Sequence, residues 1–242
     1  MDPPTNTGAA ITAKGEVRIE EPTRAQRLVG RRAAESRATV PDFELTMVAD
    51  VSATVAARRE LRAAAGAESV PSLTGVVVKA CALALREYPR ANGAYRDGHF
   101  ELHARVNVGV AIMTGDAFAV PTVPDADRKS DLEITRELRS LAESVRAGTI
   151  TPPELAGATF TLANLGVVGV SSFSAPVLPP QAAILAVGEA RGVPMLRGGD
   201  IVAGYEMHLT LTCDHRILYG THAAEFLARI RALLERPQEV LG

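Results

Sequence analysis

TLTCDHRILYGTHAAEFLARIRALLERP, from Thr210 to Pro237, is the stretch whose reading decides the fold. It opens as the end of a strand over Glu206–Thr212, in which Leu209 and Leu211 recur with period two. It closes as a helix spanning roughly Thr221 to Arg236. Between them lie Asp214, His215 and Arg216, then Ile217, Leu218, Tyr219 and Gly220. A histidine at a strand-to-helix corner, flanked by charges, can project into a cleft. Its unperturbed pKa near 6.5 suits proton transfer at neutral pH. Position alone leaves a second reading open: a buried structural histidine bonded to local backbone.

Working outward, the pattern is α+β. Arg24–Ser36 is dense in helix formers and is stopped at Val40-Pro41. FELTMVADV, Phe43–Val51, alternates as a strand. Ser52 is expected to cap a helix running to about Ala65. Ser72–Glu87 is apolar on most faces and reads as a buried helix. A hairpin turns at Asp97-Gly98, and strands follow over Val106–Met113 and Phe118–Val123. Asp131 is expected to cap a helix over Leu132–Arg146, ended by Gly148. Phe160–Ala163 and Ala182–Val187 read as strands either side of a glycine-rich loop, Asn164–Gly169, and of Pro179-Pro180. The strands look antiparallel, with few strict βαβ alternations.

Composition excludes several classes. Of 242 residues, 47% are hydrophobic and 22% charged, enough apolar material for a large core. A net charge of −2 argues against a nucleic-acid partner. Arg31-Arg32 and Arg58-Arg59 read as solvated helix faces. Two distant cysteines, Cys81 and Cys213, without CxxC spacing, lead to the expectation of a reduced, cytoplasmic protein. Met1–Gly15 has no signal-peptide core, and no run approaches the ~18 apolar residues of a membrane span, so no membrane partner is expected. His99 and His103 share a strand face with Glu101 and Arg105, a solvated arrangement, and no metal site is expected. His208 lies within a strand and His222 early in a helix, neither with a ligand set. Gly166–Gly169 lacks the Lys-Ser/Thr ending of a phosphate loop.

The segment Asp214–Gly220 and the following helix resemble the terminal D-H-R-x-x-D-G signature of the dihydrolipoyl acyltransferases of 2-oxoacid dehydrogenase complexes. TFTLANLGVVGVSSFSAPVLPPQAAILAVGEA, Thr159–Ala190, resembles that family's T-F-T-I-S-N-L-G segment with its downstream P-P-Q-A-x-I-L. PPELAGATF and PTRAQRLVGRR resemble two further segments, in the same order along the chain. The resemblance implies a chloramphenicol-acetyltransferase-like two-layer α+β sandwich with a mixed sheet over residues 16–242, after a disordered tail at 1–15. It implies a homotrimer with the active site between subunits, and His215 as general base toward a thiol or hydroxyl that attacks a coenzyme A thioester. Coenzyme A is then a co-substrate, and no covalently bound cofactor is implied.

Three positions depart from the family. Its oxyanion serine is Ala163, its second aspartate is Tyr219, and an arginine of the opening helix is Gln26. Tyr219 is a candidate to brace the loop by its ring or hydroxyl. Thr161 shares the face of Ala163 but is roughly 7 Å away along the strand. Asn164 is expected to pin the loop. Gly166, Ser171, Ser172, Asp214 and Arg216 are expected to meet substrate, with Gly166 admitting a pantetheine arm. Cys213 shares the His215 face, which makes a Cys–His dyad conceivable.

The altered site, and a short stretch before the matched region with no lipoyl lysine, favour a changed acceptor. The expected function is therefore a stand-alone enzyme moving a short acyl group, such as acetyl, to a hydroxyl of a small-molecule or carrier-bound acceptor, as in bacterial natural-product (tetronate-type) pathways. The alternatives are the catalytic core of a dihydrolipoyl acyltransferase and a non-catalytic trimeric scaffold.

Overall fold

The computed structural model describes residues 10–241 apart from residues 14, 18, 115 and 116. Of the expected tail, residues 1–9 and 14 lie outside the described residues. In the remainder, β1 (Ala10–Thr12) pairs with β2 (Gly15–Val17) as an antiparallel hairpin. Gly15 takes a positive φ of 93°, which a glycine adopts without strain and which turns the chain back on itself.

Helix α1 (Arg24–Thr39) follows a capping box, in which Thr23 Oγ1 accepts from Gln26 N and Thr23 N donates to Gln26 Oε1. Then come β3 (Asp42–Asp50), α2 (Ser52–Ala65) and α3 (Leu73–Glu87). The hairpin of β4 (Gly93–Arg96) and β5 (His99–Leu102) turns through Asp97 and Gly98, both at positive φ. β6 (Val108–Thr114), β7 (Ala117–Ala119), β8 (Thr122–Val123) and α4 (Asp131–Ala147) lead to β9 (Phe160–Asn164). The chain ends in β10 (Ala183–Val187), β11 (Arg191–Arg197), β12 (Asp200–Asp214) and α5 (Gly220–Glu235).

The main sheet runs β11-β12-β10-β9-β6-β7, with β3 on β12 and β8 on β6. β11 pairs with the first half of β12 and β3 with the second half, on opposite edges, since Glu206 partners both Arg191 and Asp50. The sheet is mixed rather than antiparallel in character, because β9 lies parallel to both β6 and β10. Both connections are long enough for the crossovers that parallel pairing needs.

Strand alternation divides the sheet's two faces. Val110, Leu162, Leu185 and Leu211 point into the layer of α3, α4 and α5, with Phe160 edge-on to Phe226 at 5.8 Å. Each fully buried phenylalanine contributes about 1.5–3 kcal/mol. On the other face Ala163 and Ile184 meet Val40, Ala175 and Val177 in a smaller cluster. One residue of slip in β9 would exchange the two sets.

Local chemistry corrected four expectations. Ser52 does not cap α2: its hydroxyl donates to Asp50 Oδ1 and accepts from Tyr205 N, so the cap position falls to Val51. Ser130, not Asp131, caps α4, in a Ser130–Glu133 capping box. Phe118–Val123 is broken into β7 and β8 around Pro121, which has no N–H to give. The β11–β12 ribbon beyond Glu206, turned by Gly198-Gly199, was missed because its outward face carries apolar residues, Leu196 and Ile201, as its half-buried inward face does, so the sequence shows no apolar–polar alternation.

Candidate active site

β12 ends by pairing Cys213 with Phe43 and Asp214 with Asp42. The chain then turns sharply. His215 N donates to Pro41 O at 3.0 Å, while Ile217 N and Leu218 N both donate to Asp214 O. Ile217 and Leu218 are buried and anchor the far side of the turn. This leaves His215 exposed, and it excludes the buried structural histidine that position alone left open.

The flanking charges hold the turn. Asp214 is 2% exposed, and its Oδ1 accepts from Arg216 N and Nε, both at 2.9 Å. Its Oδ2 accepts from Arg216 Nη2 at 2.7 Å. These bonds push the Arg216 guanidinium further above its usual range. That group also lies 4.7 Å over the Tyr95 ring, so the β4–β5 hairpin braces it. Asp214 and Arg216 are therefore committed to each other and position His215.

No hydrogen bond fixes the His215 imidazole among the described residues; aromatic edges bracket it. Phe43 packs at 4.8 Å and 82°, Tyr219 at 5.9 Å and 62°. The Arg90 guanidinium covers the outer part of this cluster, 5.7 Å from the Tyr219 ring and 5.2 Å from Phe100. The Tyr219 hydroxyl is 3.5 Å from Arg216 O, longer than an ordinary O–H···O bond. Tyr219 occupies the N-cap position of α5 and makes no side-chain cap there. It thus braces the loop by its ring.

The second candidate region sits elsewhere on the sheet. Ala163 pairs with Ala186, and Ala186 with Thr210. His215 is two strand spacings across and five residues further along β12, which places it roughly 20 Å from Ala163. One chain does not bring the two together.

Around Ala163 several expectations change. Thr161 is fully buried, and its hydroxyl donates to Gln181 Oε1 at 2.7 Å, so it is no free donor. Asn164 does pin its loop: Nδ2 donates to Thr74 Oγ1, and Oδ1 accepts from Gly166 N. Gly166 is a glycine for packing rather than for an incoming ligand, since a Cβ there would stand 2.3 Å from Gly188 O. Gly188 in turn abuts the Ser171 carbonyl. Ser171 and Ser172 remain exposed. Gln26 is occupied by its capping box at the far end of α1 from Val40, so it does not brace His215 in the same chain.

The Cys213 side chain points into the buried core, and burial pushes its thiol up to about 12. The thiolate that a Cys–His dyad needs is absent at neutral pH. His99 and His103 are exposed, and His208 Nε2 lies 3.7 Å from Glu206. Among the described residues no group of three His, Cys, Asp or Glu side chains is placed to hold a metal. No described helix is long and apolar enough to cross a membrane.

Comparison with known proteins bears on this geometry. Residues 14–242 match the 2-oxoacid dehydrogenases acyltransferase (catalytic domain) family. The dihydrolipoyllysine-residue acetyltransferase component 3 of the Arabidopsis thaliana mitochondrial pyruvate dehydrogenase complex is 38% identical over 222 residues, 89% of this chain and 41% of that protein. The chain spans about half the length of the curated relatives it matches. The Azotobacter vinelandii dihydrolipoamide acetyltransferase structure aligns with a TM-score of 0.88 at 29% identity, over 94% of this chain and 96% of that one. Chloramphenicol acetyltransferase, at 17% identity and a TM-score of 0.56 over 84% and 94%, shares the fold. The expected chloramphenicol-acetyltransferase-like α+β sandwich is thus borne out. The expected stand-alone natural-product function is not: the matched relatives are dihydrolipoyl acetyltransferases of pyruvate dehydrogenase along nearly the whole chain. The substitutions at Ala163 and Tyr219 were over-read as a changed acceptor.

Proposed function

Because the chain belongs to the 2-oxoacid dehydrogenases acyltransferase family, we propose that it moves an acetyl or related acyl group between coenzyme A and a dihydrolipoyl thiol. The observation that carries this reading is His215, exposed at the end of β12 on a turn locked by the Asp214–Arg216 pair. In the proposed step His215 takes the proton of the dihydrolipoyl thiol, whose sulfur attacks the acyl carbon of the thioester. A new C–S bond forms, the bond to coenzyme A breaks, and His215 returns the proton to the departing coenzyme A sulfur. Read backwards, the same step loads coenzyme A from an acyl-dihydrolipoyl group.

We further propose that the site is completed by neighbouring copies in a homotrimer. The separation of roughly 20 Å between His215 and Ala163 within one chain supports this, because a donor on the β9 side then reaches the histidine of another copy. The Azotobacter relative has been investigated through a serine, a histidine 52 residues later and an asparagine four beyond it. The same spacing falls here on Ala163, His215 and Tyr219.

The test is acetyl transfer from acetyl coenzyme A to dihydrolipoamide, followed by coenzyme A release and by the mass of the acetylated product. His215→Ala is expected to lower kcat on the order of 10²–10⁴-fold. Equal rates for the two proteins, or no transfer by the wild type, would overturn the reading. A monomer mass in solution would overturn the shared site.

A further inference from the structure

We propose that the Tyr219 hydroxyl is the oxyanion donor of this site, in place of the hydroxyl that position 163 no longer carries. The inference rests on the acyl-transfer reading above. When the thiol adds to the thioester, the carbonyl oxygen becomes an oxyanion for the lifetime of the tetrahedral intermediate. A donor aimed at that oxygen then acts in the transition state more than in the ground state.

The hydroxyls of this chain can be sorted by what they already do. Thr161 is fully buried and bonded to Gln181. Thr210 is bonded to Thr46. Thr212 is fully buried, out of reach of any substrate. Tyr219 is different on three counts. It is 40% exposed, its ring lies 5.9 Å from the His215 ring, and its hydroxyl has only the long 3.5 Å contact to Arg216 O. A phenol held beside the base, with a proton not firmly committed, can turn that proton to a new acceptor. The Arg90 guanidinium over the ring keeps it in place while it does so.

The two substitutions are then one event. Of the three residues named in the Azotobacter relative, the histidine is kept, the serine position has lost its hydroxyl and the asparagine position has gained one. The donor has moved from the β9 side of the site to the chain that carries the base. Ser171 and Ser172 are exposed on the β9 side and are the competing donors.

The experiment uses the full chain with acetyl coenzyme A and dihydrolipoamide. Tyr219→Phe keeps the ring against His215 and Arg90 and removes only the hydroxyl. It is expected to lower kcat on the order of 10²–10³-fold with KM changed less than threefold and the unfolding midpoint unchanged. Ala163→Ser in the Tyr219→Phe background is expected to recover at least tenfold of the loss. A Tyr219→Phe enzyme within twofold of wild type overturns the proposal. So does a Ser171→Ala/Ser172→Ala variant that shows the loss instead. If the wild type itself transfers no acetyl group, the acyl-transfer reading has failed, an outcome distinct from a Tyr219→Phe variant that matches an active wild type.

Discussion

Replacing Arg216 with methionine tests how the turn that presents His215 is held. The Asp214 side chain is 3% exposed, and Arg216 satisfies it through two nitrogens of the guanidinium plus its own backbone N–H. Arg216→Met leaves the backbone bond and removes the rest, so a carboxylate stays buried with one donor. Breaking a buried ion pair by removing one partner costs roughly 3–5 kcal/mol. Arg216 is 34% exposed and water reaches its guanidinium, so the cost falls below that range, to about 2–3 kcal/mol. The double variant Asp214→Leu/Arg216→Met buries no lone charge and is expected to be the more stable of the two. Urea unfolding at fixed protomer concentration reads both values. Activity should fall further than stability suggests: His215 N still holds Pro41 O, but the brace from Arg216 to Tyr95 is gone. A displacement of the base by about 1 Å costs on the order of 10²-fold in rate. The reasoning is refuted if Arg216→Met loses less than 1 kcal/mol, or if the double variant is the weaker protein.

Two other perturbations bear on the fold. Burial raises both cysteine thiols, Cys213 to about 12, so the thiolate is scarce at every pH below that value; a maleimide reagent at pH 7.5 should label neither cysteine in the native protein and both in denaturant, and rapid native labelling of Cys213 would count against its place in the core. The Glu133 carboxylate is held below its ordinary value by the Ser130 backbone N–H, so its contribution is complete above pH 4.5 and is lost as pH falls through the lowered folded value; Ser130→Ala/Glu133→Gln should flatten that part of the acid-unfolding profile, and an unchanged profile would argue against the capping box.

α5 and β3, which bury one face, were legible in the sequence because burial leaves a period. α3, β9 and β10 were legible as short runs apolar on nearly every side. The ribbon of β11 and the first half of β12 was not, since its water-facing side carries Leu196 and Ile201 and the sequence shows no apolar–polar alternation. Caps were legible only in part. Thr23-x-x-Gln26 and Ser130-x-x-Glu133 are both capping boxes, yet the second was passed over for the neighbouring Asp131. Ser52 was expected to cap because hydroxyl residues favour that position, but its oxygen is held by Asp50, two residues before it, and by Tyr205, on a strand distant in sequence.

The site divides along the same line. His215 was legible because its neighbours are local: the strand end, the charged pair and the turn lie within a few residues of it. The role of Thr161 was not, because its partner Gln181 is 20 residues away and sits in a loop with no pattern of its own. Gly166 misled for a related reason. A glycine needed so that Gly188 can approach looks, in one dimension, the same as a glycine needed for a ligand. The relation of Ala163 to His215 lies further out of reach. The pairing of β9, β10 and β12 sets them roughly 20 Å apart in one chain. Any chemistry they share is therefore a property of two copies, and its geometry is fixed by contacts that no single strand's alternation records.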